Sequence, residues 1–241
     1  MTDQQALAGF VDKWRARWPE WRVAEVFVPL SQREHAVAWF ALRQELTDAA
    51  WGGTDPRPGE IKLAWWAEEL QGWSQGRHRH PLGIALQRLP VPWPLLAACL
   101  PALLASRERP SDTDHAIAEL EPFAEGVAGI AATLFASDTP APAVNVVVGL
   151  LAEQVLQRGD AAAPLRTRAQ LGDAVPVHAA AFAWANELLQ RWPLPHDGSR
   201  PGRIHAALLR ERLRCFAAGS TPPQPLSRMV ALRTAWRAAR S

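Results

Sequence analysis

The sequence predicts an all-α protein, and three observations predict it. Apolar residues recur at spacings of three and four along the chain. No alternating stretch enriched in Val, Ile and Thr lasts more than a few residues. Short segments rich in Pro, Gly, Ser and Asp interrupt the pattern at intervals that suit turns between packed helices.

The elements follow in order. Residues 3–18 read as an amphipathic helix ended by Pro19. Phe27-Val28-Pro29-Leu30 reads as an extended apolar lead-in, and Ser31-Gln32-Arg33-Glu34 as a capping box opening a helix to Trp51. Gly52-Gly53-Thr54-Asp55-Pro56 is a turn. The next helix carries Pro58 in its first turn and Glu60 near its positive end, and Gly76 stops it. A short helix at 80–89 and another at 93–106 follow. Ser111-Asp112-Thr113-Asp114 starts a long helix to Phe135, which Pro140 and Pro142 separate from a helix at 143–158. After a break at 159–164, helices are expected at 165–172, 176–191, 201–218 and 225–240. There is no internal repeat and no low-complexity linker, so one helical domain over 1–241 is expected.

Composition narrows the function. The chain has 241 residues, 48% of them hydrophobic, which suits a packed core and not disorder. A formal net charge of +2 gives no argument for nucleic acid. The basic residues are almost all Arg; Lys13 and Lys62 are the only lysines. Two cysteines, Cys99 and Cys215, exclude a disulfide framework and a four-cysteine zinc site, and both read as small buried residues. The absence of Tyr beside twelve Trp excludes Tyr acid–base chemistry. The opening Met1-Thr2-Asp3-Gln4-Gln5 is neither basic nor apolar, and the most apolar stretch, 91–105, is too short to span a bilayer and holds three prolines. A cytoplasmic protein is expected, with peripheral membrane contact left open.

Several groups have chemical interest, each with a simpler reading beside it. Glu45 and Asp48 share a helix face, which suits Mg²⁺ if it points inward and a solvated acidic edge if it does not. Trp66, Leu70 and Trp73 form one apolar stripe, read as core before ligand wall, on the helix that also carries Glu68 and Glu69. His78-Arg79-His80 lacks further zinc ligands at any recognisable spacing and reads as a solvated loop. Gly126 and Gly129 inside a helix permit close packing or make room for a ligand. Arg203, Arg210, Arg212 and Arg214 read as a solvated basic face before a phosphate site. No GxSxG, Walker loop or GxGxxG is present.

Taken in order, these segments resemble the squalene/phytoene synthase family. The matching pieces are Phe27-Val28-Pro29-Leu30 with Arg33, Ala41-Leu42-Arg43-Gln44-Glu45-Leu46, Leu63-Ala64-Trp65-Trp66-Ala67-Glu68-Glu69-Leu70 with Gly76, His80-Pro81-Leu82-Gly83-Ile84-Ala85-Leu86, and Glu125-Gly126-Val127-Ala128-Gly129. The resemblance implies an isoprenoid-synthase-type helical fold with a central cavity. It also implies head-to-head joining of prenyl diphosphates, with Mg²⁺ held between two aspartate-rich motifs on facing helices. Residue by residue, the motifs carry over incompletely. After Arg43 the acids are Glu45 and Asp48, of different type and spacing. Arg158 fits the arginine of the second motif, but Val155, Gly159 and Ala163 stand at its Asn and Asp positions, and Asp160 is one residue out of register. Phe123 stands where a tyrosine is common.

A diphosphate brings about three negative charges into an apolar cavity, and without matching cations its desolvation costs many kcal/mol. The expectation is therefore a divergent member without prenyl-coupling activity, a pseudoenzyme that binds an isoprenoid-type ligand or a protein partner. The tryptophan-pair segment looks closer to the family's non-catalytic branch, which includes an assembly factor for respiratory complex I. The alternative is an active Mg²⁺-dependent prenyltransferase. The candidate substrate-binding residues are Arg43, Glu45, Asp48, Glu68, Glu69, Phe123, Gly126, Arg158 and Asp160, with Glu45 and Asp48 as metal ligands and Mg²⁺ as cofactor in the active case. If the resemblance holds, the helices at 31–51 and 143–158 face each other across a cavity.

Overall fold

The computed structural model describes residues 2–172, 176–193 and 197–241. Among them are twelve α-helices, three 3-10 turns and no strand. Helix α1 (Asp3–Arg17) opens with a capping box: the Thr2 hydroxyl accepts from Gln5 N–H while the Gln5 side chain accepts from Thr2 N–H. Pro19 ends it, and an unexpected short helix α2 (Trp21–Ala24) follows.

The segment read as an extended lead-in is mostly wound. Turns Glu25–Phe27 and Leu30–Gln32 flank an extended Val28, and the Arg33 guanidinium donates to the carbonyls of Val26 and Val28, each at 3.1 Å. This removes the capping box expected at Ser31–Glu34. A cap needs an extended residue before the helix, but the Leu30–Gln32 turn runs straight into α3 (Arg33–Trp51), and Gln32 is already helical at φ −102°, ψ −11°. Its amide donates instead to the Phe135 carbonyl at 3.1 Å.

Helix α4 (Arg57–Ser74) has Pro58 in its first turn, and Gly76 turns left-handed at φ +77° just past its end. It crosses α3 so closely that a Cβ on Gly59 would lie 2.2 Å from the Ala49 carbonyl oxygen, which only glycine tolerates. Helix α5 (Leu82–Leu86) is shorter than expected, and α6 (Trp93–Ala105) and α7 (Thr113–Leu134) follow, α7 capped by Asp112 accepting from His115 N–H. Helix α8 (Ala143–Arg158) has its expected bounds and ends in the turn Gly159–Ala162. The chain closes with α9 (Leu165–Leu171), α10 (Ala179–Gln190), α11 (Arg200–Ala217) and α12 (Arg228–Arg240). Helix α10 starts later than expected because His178 takes up a left-handed conformation, φ +70°.

Buried side chains from Trp14 to Ala238 form a contiguous core. Seven tryptophans, among them Trp66 and Trp73, are fully buried, so the Trp66–Leu70–Trp73 stripe is core. Trp73 meets Trp93 edge-on at 5.1 Å, a favoured aromatic geometry that fixes α4 against α6. Cys99 and Cys215 are half-buried, not buried as expected.

Candidate functional site

Helices α3 and α8 face each other across a cavity of about 350 Å³. Helix α3 lines it with Phe40, Arg43, Gln44 and Thr47, spaced i, i+3, i+4 and i+7 on one face. Trp14, Arg17 and Trp18 come from the end of α1, Glu153, Leu156 and Gln157 from α8, and His205, Leu209 and Arg212 from α11. The aromatic wall is tightly built: Phe40 stacks on His205 at 4.6 Å and on Trp14 at 5.4 Å, and Trp18 lies 4.3 Å from His205. A smaller, mostly apolar chamber of about 100 Å³ adjoins it, lined among others by Trp39, Val127, Ala128, Ala131 and Phe135. Both chambers share Phe40, Arg43, Glu153, His205 and Leu209, so a polar septum separates a basic vestibule from an apolar recess.

The septum is a half-buried ion pair with a neutral neighbour. Arg43 Nη2 lies 3.4 Å from Glu153 Oε1, and His205 Nδ1 lies 3.9 Å from the same oxygen. Burial pushes the Glu153 carboxyl above its usual range, with Arg43 and Arg17 opposing it. Burial, then the nearby Arg43 and Arg212, holds the His205 imidazole well below its usual range, so it is neutral at pH 7. Arg43 Nε and Gln44 Oε1 are buried without a protein partner and keep unused hydrogen-bonding capacity.

Three guanidinium groups line the vestibule against one carboxylate. Arg17 pairs with Asp48 at 2.8 Å. Arg212 grips the buried Glu20 through two nitrogens, one at 2.8 Å, and lies 4.0 Å above the Trp18 ring. Arg212 was expected on a solvated face; its burial comes from this pairing.

Only part of the expected constellation is brought together here. Arg43 is in the cavity wall. Glu45 is not, because at 100° per residue it lies roughly 150° round α3 from the centre of the cavity stripe. It faces α1 and α4, where both lysines of the sequence meet it: Lys13 holds Oε1 and Lys62 holds Oε2 at 2.8 Å. Burial raises its carboxyl, but the two ammonium groups outweigh this and hold it below its usual range. Asp48 is taken by Arg17, with Lys13 at 3.7 Å.

Two ammonium charges thus already stand on Glu45 where a divalent cation would supply the same +2. The facing helix offers Glu153 alone, since Val155, Gly159 and Ala163 carry no oxygen donor. Among the described residues no group of three or more His, Cys, Asp and Glu is placed to hold a metal ion. The residues as placed do not fit Mg²⁺, which needs oxygen ligands in near-octahedral array; Glu45 and Asp48, expected as metal ligands, stand here as ion-pair partners.

The remaining candidates line neither chamber. Asp160 is turned to α10, accepting from His178 N–H at 3.0 Å and Ala181 N–H at 2.8 Å. Arg158 donates to the Arg107 carbonyl at 2.8 Å. Glu69 is buried and accepts from the N–H groups of Arg79, His80 and the Trp73 indole, while exposed Glu68 reaches Arg79 at 3.4 Å. His80, expected in solvent, packs its ring 4.4 Å from Phe10 and 4.5 Å from Trp66, and burial lowers its pKa to about 4. Gly126 serves close packing: an added Cβ would meet Cys99 Sγ at 3.1 Å. Phe123 is in the core and lines neither chamber.

Sequence reasoning missed Glu153, His205, Arg17, Trp14 and Trp18. The sequence carried a signal for Glu153 and another for the cavity face of α3. Glu153 is the one acid in α8, and Phe40, Arg43, Gln44 and Thr47 form a helical stripe that excludes Glu45.

The family model for squalene/phytoene synthase matches residues 23–137. No curated protein matches the chain. The matched stretch ends in the turn after α7, so it contains the α3 wall of the cavity but neither α8 nor α11.

Proposed function

We propose that the chain, whose residues 23–137 match the squalene/phytoene synthase family model, keeps that family's scaffold as a binding protein and does not couple prenyl diphosphates. One observation carries this reading: Glu45, the acid following Arg43, is saturated by Lys13 and Lys62 and turned from the cavity, while α8 supplies a single carboxylate. The family is typically Mg²⁺-dependent, and these donors leave the vestibule to guanidinium groups instead. An amphipathic ligand fits the two chambers. An acidic headgroup would meet Arg17, Arg43 and Arg212, and an apolar tail of isoprenoid type would pass the septum into the recess. The fixed charge favours a lightly charged headgroup. Arg17 and Arg212 are already balanced by Asp48 and Glu20, which leaves Arg43 shared with Glu153, the acid that burial biases toward neutrality. Peripheral contact with a membrane belongs to the same reading, since such ligands reside in bilayers; no helix among the described residues is long and apolar enough to cross one.

The test is incubation of the folded protein with farnesyl or geranylgeranyl diphosphate and Mg²⁺, followed by mass spectrometry. Intact substrate after long incubation is expected. A coupled hydrocarbon or its diphosphate intermediate would overturn the reading, and loss of that product in Glu45→Ala/Asp48→Ala would return those acids to a metal site.

A further inference from the structure

Helix α12 is built inside out. It buries Ala231, Ala235 and Ala238 against its neighbours α2 and α11. Its large apolar side chains face outward instead: Met229 is 74% exposed, Trp236 46% and Leu232 42%. An ordinary surface helix does the reverse, burying large apolar groups and exposing polar ones. At 100° per residue, Leu232, Trp236 and Met229 fall within about 60° of arc on the far side of the helix from the alanines. Arginines flank that arc on both sides, with Arg228 at one edge and Arg233 and Arg240 at the other, and α12 contains no acidic residue. The Arg240 guanidinium lies 4.8 Å over the Trp236 ring. The turn Glu25–Phe27 packs beside α12 and adds Val26, 54% exposed, while its one acid, Glu25, is taken by Arg15 at 3.4 Å.

From this arrangement we infer that the outer face of α12 docks the protein on the surface of a bilayer rich in anionic lipid. An amphipathic helix with Trp, Leu and Met on one face and arginines at its borders lies in the interfacial plane, its apolar groups among the acyl chains and its cations at the headgroups. Charge decides among occupants. A second copy related by a twofold axis would set these arginines against one another with no acid to receive them. The apolar arc of three side chains is also too small to hold a stable protein interface alone. An anionic membrane meets both the apolar arc and the unbalanced cations. The placement is apt, because Pro223, in the connection leading into α12, lines the vestibule of the cavity. This surface deepens the membrane contact proposed above, and vesicle binding and product formation are separate readouts, so either can fail alone.

The test uses the full chain and vesicles of equimolar phosphatidylglycerol and phosphatidylcholine, with phosphatidylcholine alone as control, read by cosedimentation. Binding to the anionic vesicles, weakened by added salt, is expected. Arg228→Glu/Arg233→Glu alters two exposed side chains that flank the arc and should weaken binding at least about tenfold, from the roughly fivefold that each cation near the surface supplies. Trp236→Ala should weaken it several-fold while leaving the salt dependence in place, with circular dichroism confirming the fold. The inference fails if neither vesicle binds, if neutral vesicles bind equally and charge reversal has no effect, or if polyglutamate binds in place of vesicles. It also fails if the protein is an oligomer that Trp236→Ala disperses.

Discussion

Glu69→Ala is expected to be among the most damaging single changes in this protein, although the side chain touches neither chamber. Glu69 Oε1 accepts from the Trp73 indole at 2.9 Å, Arg79 N–H at 2.7 Å and His80 N–H at 2.8 Å, and Oε2 accepts from Arg79 Nε at 3.1 Å. Truncation strands the Trp73 N–H in the core, which costs about 1–3 kcal/mol, and deprives two half-buried backbone donors of a charged acceptor at about 1 kcal/mol each. The exposed Arg79 side chain can turn to water and adds little. The sum is about 3–5 kcal/mol, a large part of the stability of an ordinary domain. Glu69→Gln keeps an acceptor oxygen but sets an amide N–H₂ against Arg79, and should cost about 1–2 kcal/mol. Urea unfolding followed by circular dichroism measures both. The charge adds a pH signature. Burial raises the Glu69 carboxyl, but the bonds from His80, Arg79 and Trp73 outweigh this and hold it below its ordinary 4.5. That stability is present above pH 4.5 and is lost as pH falls through the depressed value, so the gap between wild type and Glu69→Gln should narrow in acid. A Glu69→Ala variant within about 1 kcal/mol of wild type would refute the role of Glu69 as the anchor of the loop after α4.

Two further variants separate structural from functional acids. Glu153 has its carboxyl raised above 4.5 by burial, so the cost of ionising it is absent below pH 4.5 and grows as pH rises toward the folded value, with a slope of at most about 1.4 kcal/mol per pH unit; Glu153→Gln, which still offers Arg43 an oxygen, should therefore gain on wild type between pH 4 and pH 7 in urea unfolding, and parallel stability curves would refute the buried charge. Asp160→Ala removes the cap of α10 and should cost about 1–2 kcal/mol in the same assay; unchanged stability would show that these bonds are not what Asp160 is for.

The helices were legible in the sequence because their boundaries are set locally. Pro19, Pro58, Gly76 and Asp112 act on the backbone within one turn of themselves, and the bounds they imply are those observed. Where tertiary contacts choose the conformation, local reading failed. Ser31 has the sequence of a cap, but Arg33 reaches back to two carbonyls and winds the lead-in. Asp160 looks one residue out of register with the family's motif spacing, while its partners are backbone groups eighteen and more residues away at the start of α10. The cavity was harder still, because its walls come from α1, α3, α8 and α11, and no sequence window contains more than one of them.

The carboxylates of α3 show what spacing can and cannot decide. Glu45 and Asp48 do lie near one face of α3, as three-residue spacing requires. Which neighbour that face meets is settled by helix packing, and it meets Lys13 of α1 and Lys62 of α4. Composition held the clue: in a chain whose other cations are arginines, both lysines converge on one acid. A lysine ammonium is a compact point charge that can sit one to an oxygen, whereas an arginine fork engages both oxygens of one carboxylate, as Arg212 does with Glu20. Two lysines on Glu45 therefore close both of its oxygens to a metal. Freeing them would take more than restoring an aspartate; it would require removing Lys13 and Lys62 and turning the acid about α3 to face Glu153. In the reading proposed here, what closes the site to a metal is thus written on α1 and α4 as much as on the motif itself.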